Sequence, residues 1–452
     1  MSKNNENGKD FLGFRWSGKD KAINDAESFT DKHLVAKKNK SFEWNNTKNI
    51  FIEGDNLDAL KLLKREFENK IRVIYIDPPY NTGKDFVYKD KLKHSDWCSM
   101  IYSRLKLAKE LLSEDGVIFI SIDDNEICNL KNICEEIFGS DNFVTQFIYE
   151  KTQHFGRQKL NTYSNAEYVL CYAKNLYNKT GKFKELLVER INTVFQDAPL
   201  FNASNRVCSL VFPPCSVKFN IDDGVYSKTT SPAYELKSPV TVKNGVNQNE
   251  LVLKFKSRWS QKKLNDELKK GTTFWVKTKA FAIRAVYGEN KVSNTAPKQI
   301  IFTNKNNKFC TYNRFGEQVK TSETATSDLQ KLLGNSYFDY PKPVSLISYL
   351  ISLIYDYKAQ NFADDFYVLD FFAGSGTTAQ AVMELNTKDN GKRKFILIQK
   401  PVVFDYGSEA YRAGFKDICA LSEERIKRVI TNIKTSKHSN IADKGFRVYE
   451  VK

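Results

Sequence analysis

Asp77, Pro78, Pro79 and Tyr80 close the apolar run of Ile74, Tyr75 and Ile76, and Asn81, Thr82 and Gly83 open a loop directly after. A carboxylate at the end of a buried strand is costly unless it has partners. Two prolines remove two backbone donors and hold the chain extended, so the strand must stop there. What results is a rigid edge: an acceptor carboxylate, carbonyls with no competing N–H beside them, and an aromatic face. Such an edge suits the grip of a planar group that carries an NH₂.

A second cluster lies almost 300 residues further on. In "VLDFFAGSGTT" Asp370 ends a strand, Gly374 and Gly376 make a tight turn, and Thr377 and Thr378 begin a helix. Glycines at such a turn let backbone N–H groups and a helix N-terminus approach a ligand closely. The loop lacks the G-K-S/T of a Walker motif and does not fit G-x-G-x-x-G. Its partner strand, 393–398, is followed by Gln399 where a ribose-binding acid is expected; an amide still hydrogen-bonds a hydroxyl, without charge. A third turn, "IEGDN", offers Asp55 and Asn56, either as the cap of the helix that follows or with Asp55 as acceptor for the amine of a bound adenine.

These residues need strand ends and helix starts to hold them. Leu57, Leu60, Leu63 and Phe67 recur at helical spacing behind "GDN". A helix over about 96–112 ends at "SEDG", and "GVIFISID" reads as a strand buried on both faces, as parallel sheets require. "FVTQFIYEK" and "EYVLCYAKN" alternate more and read as later antiparallel strands. From about 174 to 325 short strand-like pieces sit among Lys, Asn, Ser and Thr. The α/β texture then returns with a helix from 344, strand and helix around the glycine loop, and a buried strand in "RKFILIQK". The expected division is a flexible lead-in over 1–45, a first α/β block over 46–174, a basic insert over 175–325, a second block over 326–404 and a helical extension over 405–452.

Composition narrows the class. No run of the 452 residues reaches the roughly 20 apolar positions of a membrane span, and no secretory signal is expected. Eight scattered cysteines without a C-x-x-C pair, and four histidines, read as reduced thiols of a cytoplasmic protein rather than a disulfide or metal framework, so no metal site is expected. The net charge of +16 is local: 151–320 holds 29 basic and 12 acidic residues, whereas the rest holds 41 and 42. An excess confined to one segment points to a polyanion, with nucleic acid the commonest.

Taken together, "DPPY", a basic insert and then "FAGSG" resemble the β class of S-adenosylmethionine-dependent DNA amino-methyltransferases, in which the catalytic motif precedes the cofactor motif. "YIDPPYNTG", "GVIFISIDDNE", "EYVLCYAKN", "SETATSDLQKLLG", "YPKP", "GFKDICALSEERIKR" and "GFRVYEVK" extend the resemblance, over nearly the whole chain, to the modification subunit of type III restriction–modification systems. The chain departs from that pattern in being shorter than many members, in Phe371 where the family often has proline, and in Gln399.

The resemblance implies an α/β fold with a Rossmann-like, seven-stranded, mostly parallel and circularly permuted sheet, carrying an inserted, mainly β or irregular target-recognition domain. It implies S-adenosyl-L-methionine as cofactor. Phe372, Ala373, Gly374, Ser375 and Gly376 would line its methionine part, and Thr377 and Thr378 would lie near its carboxylate. Asp370 stands at the same strand end, Asp55 and Asn56 would meet the adenine, Lys342 and Pro343 would sit beside the methionine, and Gln399 would take the ribose position. Asp77, Pro78, Pro79 and Tyr80 become the catalytic edge for a flipped-out base in double-stranded DNA, with adenine N6 favoured. For DNA contact the residues are His154, Arg157 and Lys159 in the 151–165 loop, His154 with no chemistry of its own, and Lys254, Lys256, Arg258, Lys277 and Lys279 in the insert. A homodimer and a separate restriction subunit with helicase and nuclease are the expected partners. Cytosine-N4 transfer, a DNA-binding specificity subunit whose methyl transfer is dispensable, and an RNA methyltransferase are the alternatives.

Overall fold

The computed structural model describes residues 13–83, 90–154, 163–176, 186, 188–190, 198–287, 293–354, 365–435 and 443–452. The chain divides into two compact units, 1–188 with 296–452, and 189–295.

In the larger unit the described residues form a ten-stranded sheet. Its centre holds the seven expected strands in the order Ile50–Glu53, Lys394–Gln399, Tyr367–Asp370, Ile71–Ile76, Leu112–Ile122, Ala166–Ala173 and Phe143–Glu150. The first five run parallel, and Ala166–Ala173 is antiparallel to both neighbours. Three strands extend it beyond seven. Arg447–Val451 pairs in parallel with Ile50–Glu53, Leu34–Ala36 adds antiparallel to that, and Ile300–Ile301 joins the other edge.

Alternation along each strand explains why both faces are covered. Phe51, Val73, Tyr75, Val117 and Phe119 point into one core, against the helices Val344–Ser352, Thr377–Asp389 and Ile418–Thr435. Ile52, Ile74, Ile76, Ile118 and Ile120 point into the other, against Asn56–Phe67, His94–Leu111 and Ile127–Phe138. A sheet sandwiched this way reads as continuous apolar runs. The strand that ends in Asp370 and the strand that leads into Asp77 are neighbours in space although the second comes almost 300 residues earlier, which is the permutation expected from the order of the motifs.

The structure redraws three segments. Within 1–45, the described part is packed: Ala22 and Ala26 of the Lys19–Glu27 helix are buried, Trp16 Nε1 donates to Ser99 Oγ (2.9 Å), and Lys19 pairs with Glu136 (2.6 Å). Within 405–452, Arg447–Val451 is a sheet strand rather than helix. The insert unit is narrower than 175–325, because Ile300–Ile301 pairs with Phe143–Glu150 and the Ser322–Leu333 helix belongs to the larger unit.

The smaller unit is mainly β. A seven-stranded sheet, a three-stranded sheet and the Gln261–Lys269 helix enclose Phe212, Phe255, Trp259, Phe274 and Phe281. No helix among the described residues is long and apolar enough to cross a membrane.

Candidate active site

The carboxyl ends of four adjacent parallel strands, closing at Glu53, Gln399, Asp370 and Ile76, open into one cleft of the larger unit. Open α/β sheets place ligands at these ends. Three inter-strand spacings make the row about 14 Å wide, with Asp55 at one end and Asp77 at the other.

The floor is the glycine loop. Gly374 has φ +53 and Gly376 φ +81, left-handed values that a side chain would strain. Asp370 shapes the turn from below: its carboxylate accepts the Phe372 N–H (3.0 Å) and the Thr378 hydroxyl. Burial pushes the Asp370 carboxyl up to about 7, the hydrogen bonds from Thr378 and Phe372 opposing it. Gln399 lines the cleft and spends its Oε1 on the Gly374 N–H (2.8 Å), so it fixes the loop as well as facing the ligand space. At the far end Asp55 caps the Asn56–Phe67 helix through the Leu57 N–H (2.9 Å) and pairs with Arg104 (3.1 Å); Asn56 donates to the Phe371 carbonyl (2.8 Å). Capping and cleft lining are thus combined in the same residues.

Asp77 stands where the cleft meets a second cavity. The two share Asp77, Tyr340 and Lys342; Pro79 faces the first, Pro78 and Tyr80 the second. Lys342, which the resemblance sets beside the cofactor, reaches the Asp77 edge itself. Its ammonium lies 3.2 Å from Asp77 Oδ1, 3.2 Å from Glu167 Oε2 and 4.7 Å from the centre of the Tyr80 ring. Burial pushes the Asp77 carboxyl up, with Lys342 opposing and Glu167 reinforcing. Lys342 is pulled down by burial and pushed further up by Asp77 and Glu167, so it stays protonated. The Asp77 side chain keeps 27% of its surface accessible, enough for an incoming group to touch it.

The loop behind the edge is braced. Trp97 Nε1 donates to the Pro79 carbonyl (2.7 Å), and the Asp90 carboxylate accepts the N–H groups of Asn81 (2.8 Å) and Thr82 (2.9 Å). The Pro79 carbonyl is thereby engaged.

Not every expected residue reaches the cleft. Pro343 caps the Val344–Ser352 helix and lines a neighbouring cavity, and Gly376 shapes the turn without lining the cleft. The Thr377 hydroxyl accepts from Arg425 (2.7 Å) and that of Thr378 is bound to Asp370, so both brace the loop while lining it. Arg425 is a residue that sequence reading passed over. Buried in the Ile418–Thr435 helix, it also donates to Ser375 Oγ (2.7 Å) and Gln380 Oε1 (2.9 Å), while Ser422 donates to the Gly374 carbonyl. Glu167 was passed over too; a lone acid opening an alternating strand carries no signal of its own.

Of the DNA-contact assignments, Arg157 and Lys159 fall outside the described residues, and His154 is exposed and borders the second cavity. Lys256, Arg258, Lys277 and Lys279 are exposed on the smaller unit; Lys279 pairs with Asp222 (3.4 Å), and the less exposed Lys254 with Glu235 (3.1 Å). The basic surplus is shared: 189–295 holds 17 basic and 9 acidic residues, and the stretches 151–188 and 296–320 together hold 12 and 3. Among the described residues no group of His, Cys, Asp or Glu is placed to hold a metal ion.

Comparison with known proteins gives a family. The N6_N4_Mtase family model, described as DNA methylase, matches residues 71–404. The Mod subunit of the type III restriction-modification enzyme EcoPI of Escherichia phage P1 is 34% identical, covering 91% of this chain and 66% of that protein. The StyLTI Mod subunit of Salmonella typhimurium is 32% identical, covering 89% and 60%. The type II methyltransferase M.KpnI of Klebsiella pneumoniae is 29% identical, covering 86% and 89%. The chain therefore spans less than two thirds of the length of these type III relatives.

Proposed function

We propose that this chain, which belongs to the DNA methylase family, methylates the N6 amine of adenine in double-stranded DNA at a specific site, with S-adenosyl-L-methionine as the methyl donor. The observation that carries the reading is the meeting of two cavities at Asp77. One is floored by the glycine loop, the other is lined by Pro78 and Tyr80.

The first cavity fits the cofactor on its own geometry. It runs across four strand ends, offers the Asp55 carboxylate as an acceptor at the far side with Gln399 lining the wall beside it, backbone of the glycine loop along the floor, and the N-terminus of the Thr377–Asp389 helix for a carboxylate. When bound there, the sulfonium supplies an electrophilic methyl group for a single direct displacement. The chain's task is to bring an amine to it. Asp77 and the Pro78 carbonyl each accept one N–H, which draws the nitrogen toward tetrahedral geometry and frees its lone pair. Protonated Lys342 cannot take up the proton that the amine must lose. Asp77, whose affinity for a proton burial has raised, can take it and pass it to water. One face of Tyr80 carries Lys342, leaving the other for stacking on the extruded base. Positioning and electrostatics supply most of the acceleration in such a scheme.

Adenine is chosen over cytosine because the Asp-Pro-Pro-Tyr edge occurs in a chain resembling type III modification subunits; the grip itself serves either amine. The smaller unit and its exposed lysines serve as target-recognition domain. The proposed partners are double-stranded DNA, a second copy of the chain, and a restriction subunit, the last supported by relatives named as subunits of restriction-modification enzymes. Transfer of labelled methyl from S-adenosylmethionine to duplex DNA, followed by nucleoside analysis, tests the reading. N6-methyladenine is the expected product; N4-methylcytosine would move the assignment to the other base, and unlabelled DNA would overturn it.

A further inference from the structure

Two carboxylates, two ammonium groups and one phenol close a ring around the catalytic edge, and the transfer chemistry above uses only part of it. Glu167, on the strand antiparallel to Leu112–Ile122, is 8% exposed. Its Oε2 accepts the Tyr80 hydroxyl (3.3 Å) and faces Lys342 Nζ (3.2 Å), while its Oε1 faces Lys151 Nζ (3.3 Å). Lys342 stands at the same 3.2 Å from Asp77 Oδ1. One ammonium is therefore shared evenly between the acid of the edge and an acid on another strand.

We infer that Glu167 is a positioning residue for methyl transfer: it anchors Tyr80 by its hydroxyl and shares Lys342 with Asp77, so the Asp77 carboxylate is left able to accept the amine. This rests on the reading of Asp77 as acceptor for the transferred group's nitrogen. With Glu167 gone, Lys342 would have a single carboxylate within reach and would bind it fully. The negative charge of Asp77 would then be drawn to Lys342 through its buried Oδ1, leaving the carboxylate a weaker acceptor for the amine, and the Tyr80 ring would lose the contact that fixes its tilt. Lys151 completes the balance by holding the second oxygen of Glu167, so two negative and two positive charges offset each other.

The groups facing Asp77 from the packed elements are Lys342, Glu167, Tyr80, Tyr75 and Asp370; those facing Glu167 are Lys342, Lys151, Asp77, Tyr80, Tyr75, Tyr149 and Asp123. Activity requires ionised Asp77, so it falls on the acid side as pH drops through the Asp77 titration. Glu167→Gln removes a negative charge near Asp77 and gives it the whole of Lys342, so the acid limb moves to lower pH. Lys151→Met removes a positive charge from the far side of Glu167, so the limb moves to higher pH. Opposite shifts from two neighbouring variants are a signature that simple damage to the fold would not produce.

The experiment is single-turnover methylation of duplex DNA by the full chain across pH 5.5–9 (a range of about 3.5 decades in proton activity), with saturating S-adenosylmethionine. Methylation by the unaltered chain secures the reading on which this rests; its absence would indict that reading and not Glu167. Given an active parent, Glu167→Gln should slow transfer about 10- to 100-fold, leave cofactor affinity within about twofold, and lower the acid limb. The loss should shrink when introduced into Tyr80→Phe, because the two share one contact. If Glu167→Gln fails to fold, the Lys151→Met limb and the Tyr80→Phe rate still decide. A parental rate with an unmoved limb in Glu167→Gln, or limbs that move together in the two charge variants, overturns the inference.

Discussion

Replacing Arg425 by methionine tests whether the glycine loop is held from beneath. The guanidinium gives three side-chain hydrogen bonds of 2.7–2.9 Å, to Ser375, Thr377 and Gln380. Ser375 and Thr377 are 2% and 5% exposed, so water does not readily take its place. Burial holds the Arg425 guanidinium down at about 10, still charged at neutral pH. Methionine keeps the length and removes every donor. Two buried hydroxyls then retain only each other, 3.3 Å apart. Leaving buried polar groups short of a partner costs about 1–3 kcal/mol. The removal of a desolvated cation offsets part of this in global stability, but it does nothing for the loop. The cost should therefore appear as S-adenosylmethionine binding weakened roughly 5- to 150-fold, with little change in the unfolding midpoint. Isothermal titration of the folded variant reads it directly. A dissociation constant within about twofold of the parent would show that the loop needs no such brace.

Asp370→Asn should change how stability responds to pH. The folded chain holds this carboxyl at about 7 against 3.8 for the ordinary group. The native state then binds more protons than the unfolded state between those values, so Asp370 contributes most stability below pH 4 and loses it as pH rises toward 7. Relative to Asp370→Asn, the parent should lose roughly 2–4 kcal/mol across that window in urea titrations; a difference independent of pH would reject the assignment. Neutralising Lys256, Arg258, Lys277 and Lys279 together should weaken DNA binding and flatten its salt dependence, by about 0.9 in the log–log slope for each residue that touches a phosphate. An unchanged slope would remove the smaller unit from the interface. The flanking lysines of 296–320, which share the surplus, should give a separate decrement when Lys298, Lys305 and Lys308 are changed.

What the sequence disclosed follows from how locally each feature is written. The Asp77 edge and the glycine loop are contiguous strings at strand ends, so type and spacing reveal them. The two-sided core is equally local, because alternating strands such as 71–76 carry apolar side chains on both faces. The resemblance implied a place for Lys342 beside the cofactor; that it lines the cleft and also pairs with Asp77 was not legible, since the pairing is made by a turn 265 residues away in the chain. Glu167 and Arg425 are long-range in the same sense: one looks like any strand acid, the other like one charge of many on "SEERIKR". The division of the insert misled because texture is not topology. Residues 300–301 read as part of a basic β segment, yet they complete the edge of the large sheet. Trp16 and Ala22 show the converse: a polar opening still docks when two aromatics, Phe14 and Trp16, and two alanines find a helix to cover.

The proposed methylation of adenine in DNA at the Asp77 edge is open to a direct test. Methylome sequencing of a host free of DNA methylation, expressing either this chain or its Asp77→Asn variant, tests it most directly. N6-methyladenine is expected at one short motif with the parent and nowhere with the variant, although the variant folds and binds S-adenosylmethionine. Equal methylation by both, or a genome left unmodified by a folded, cofactor-binding parent, would contradict it.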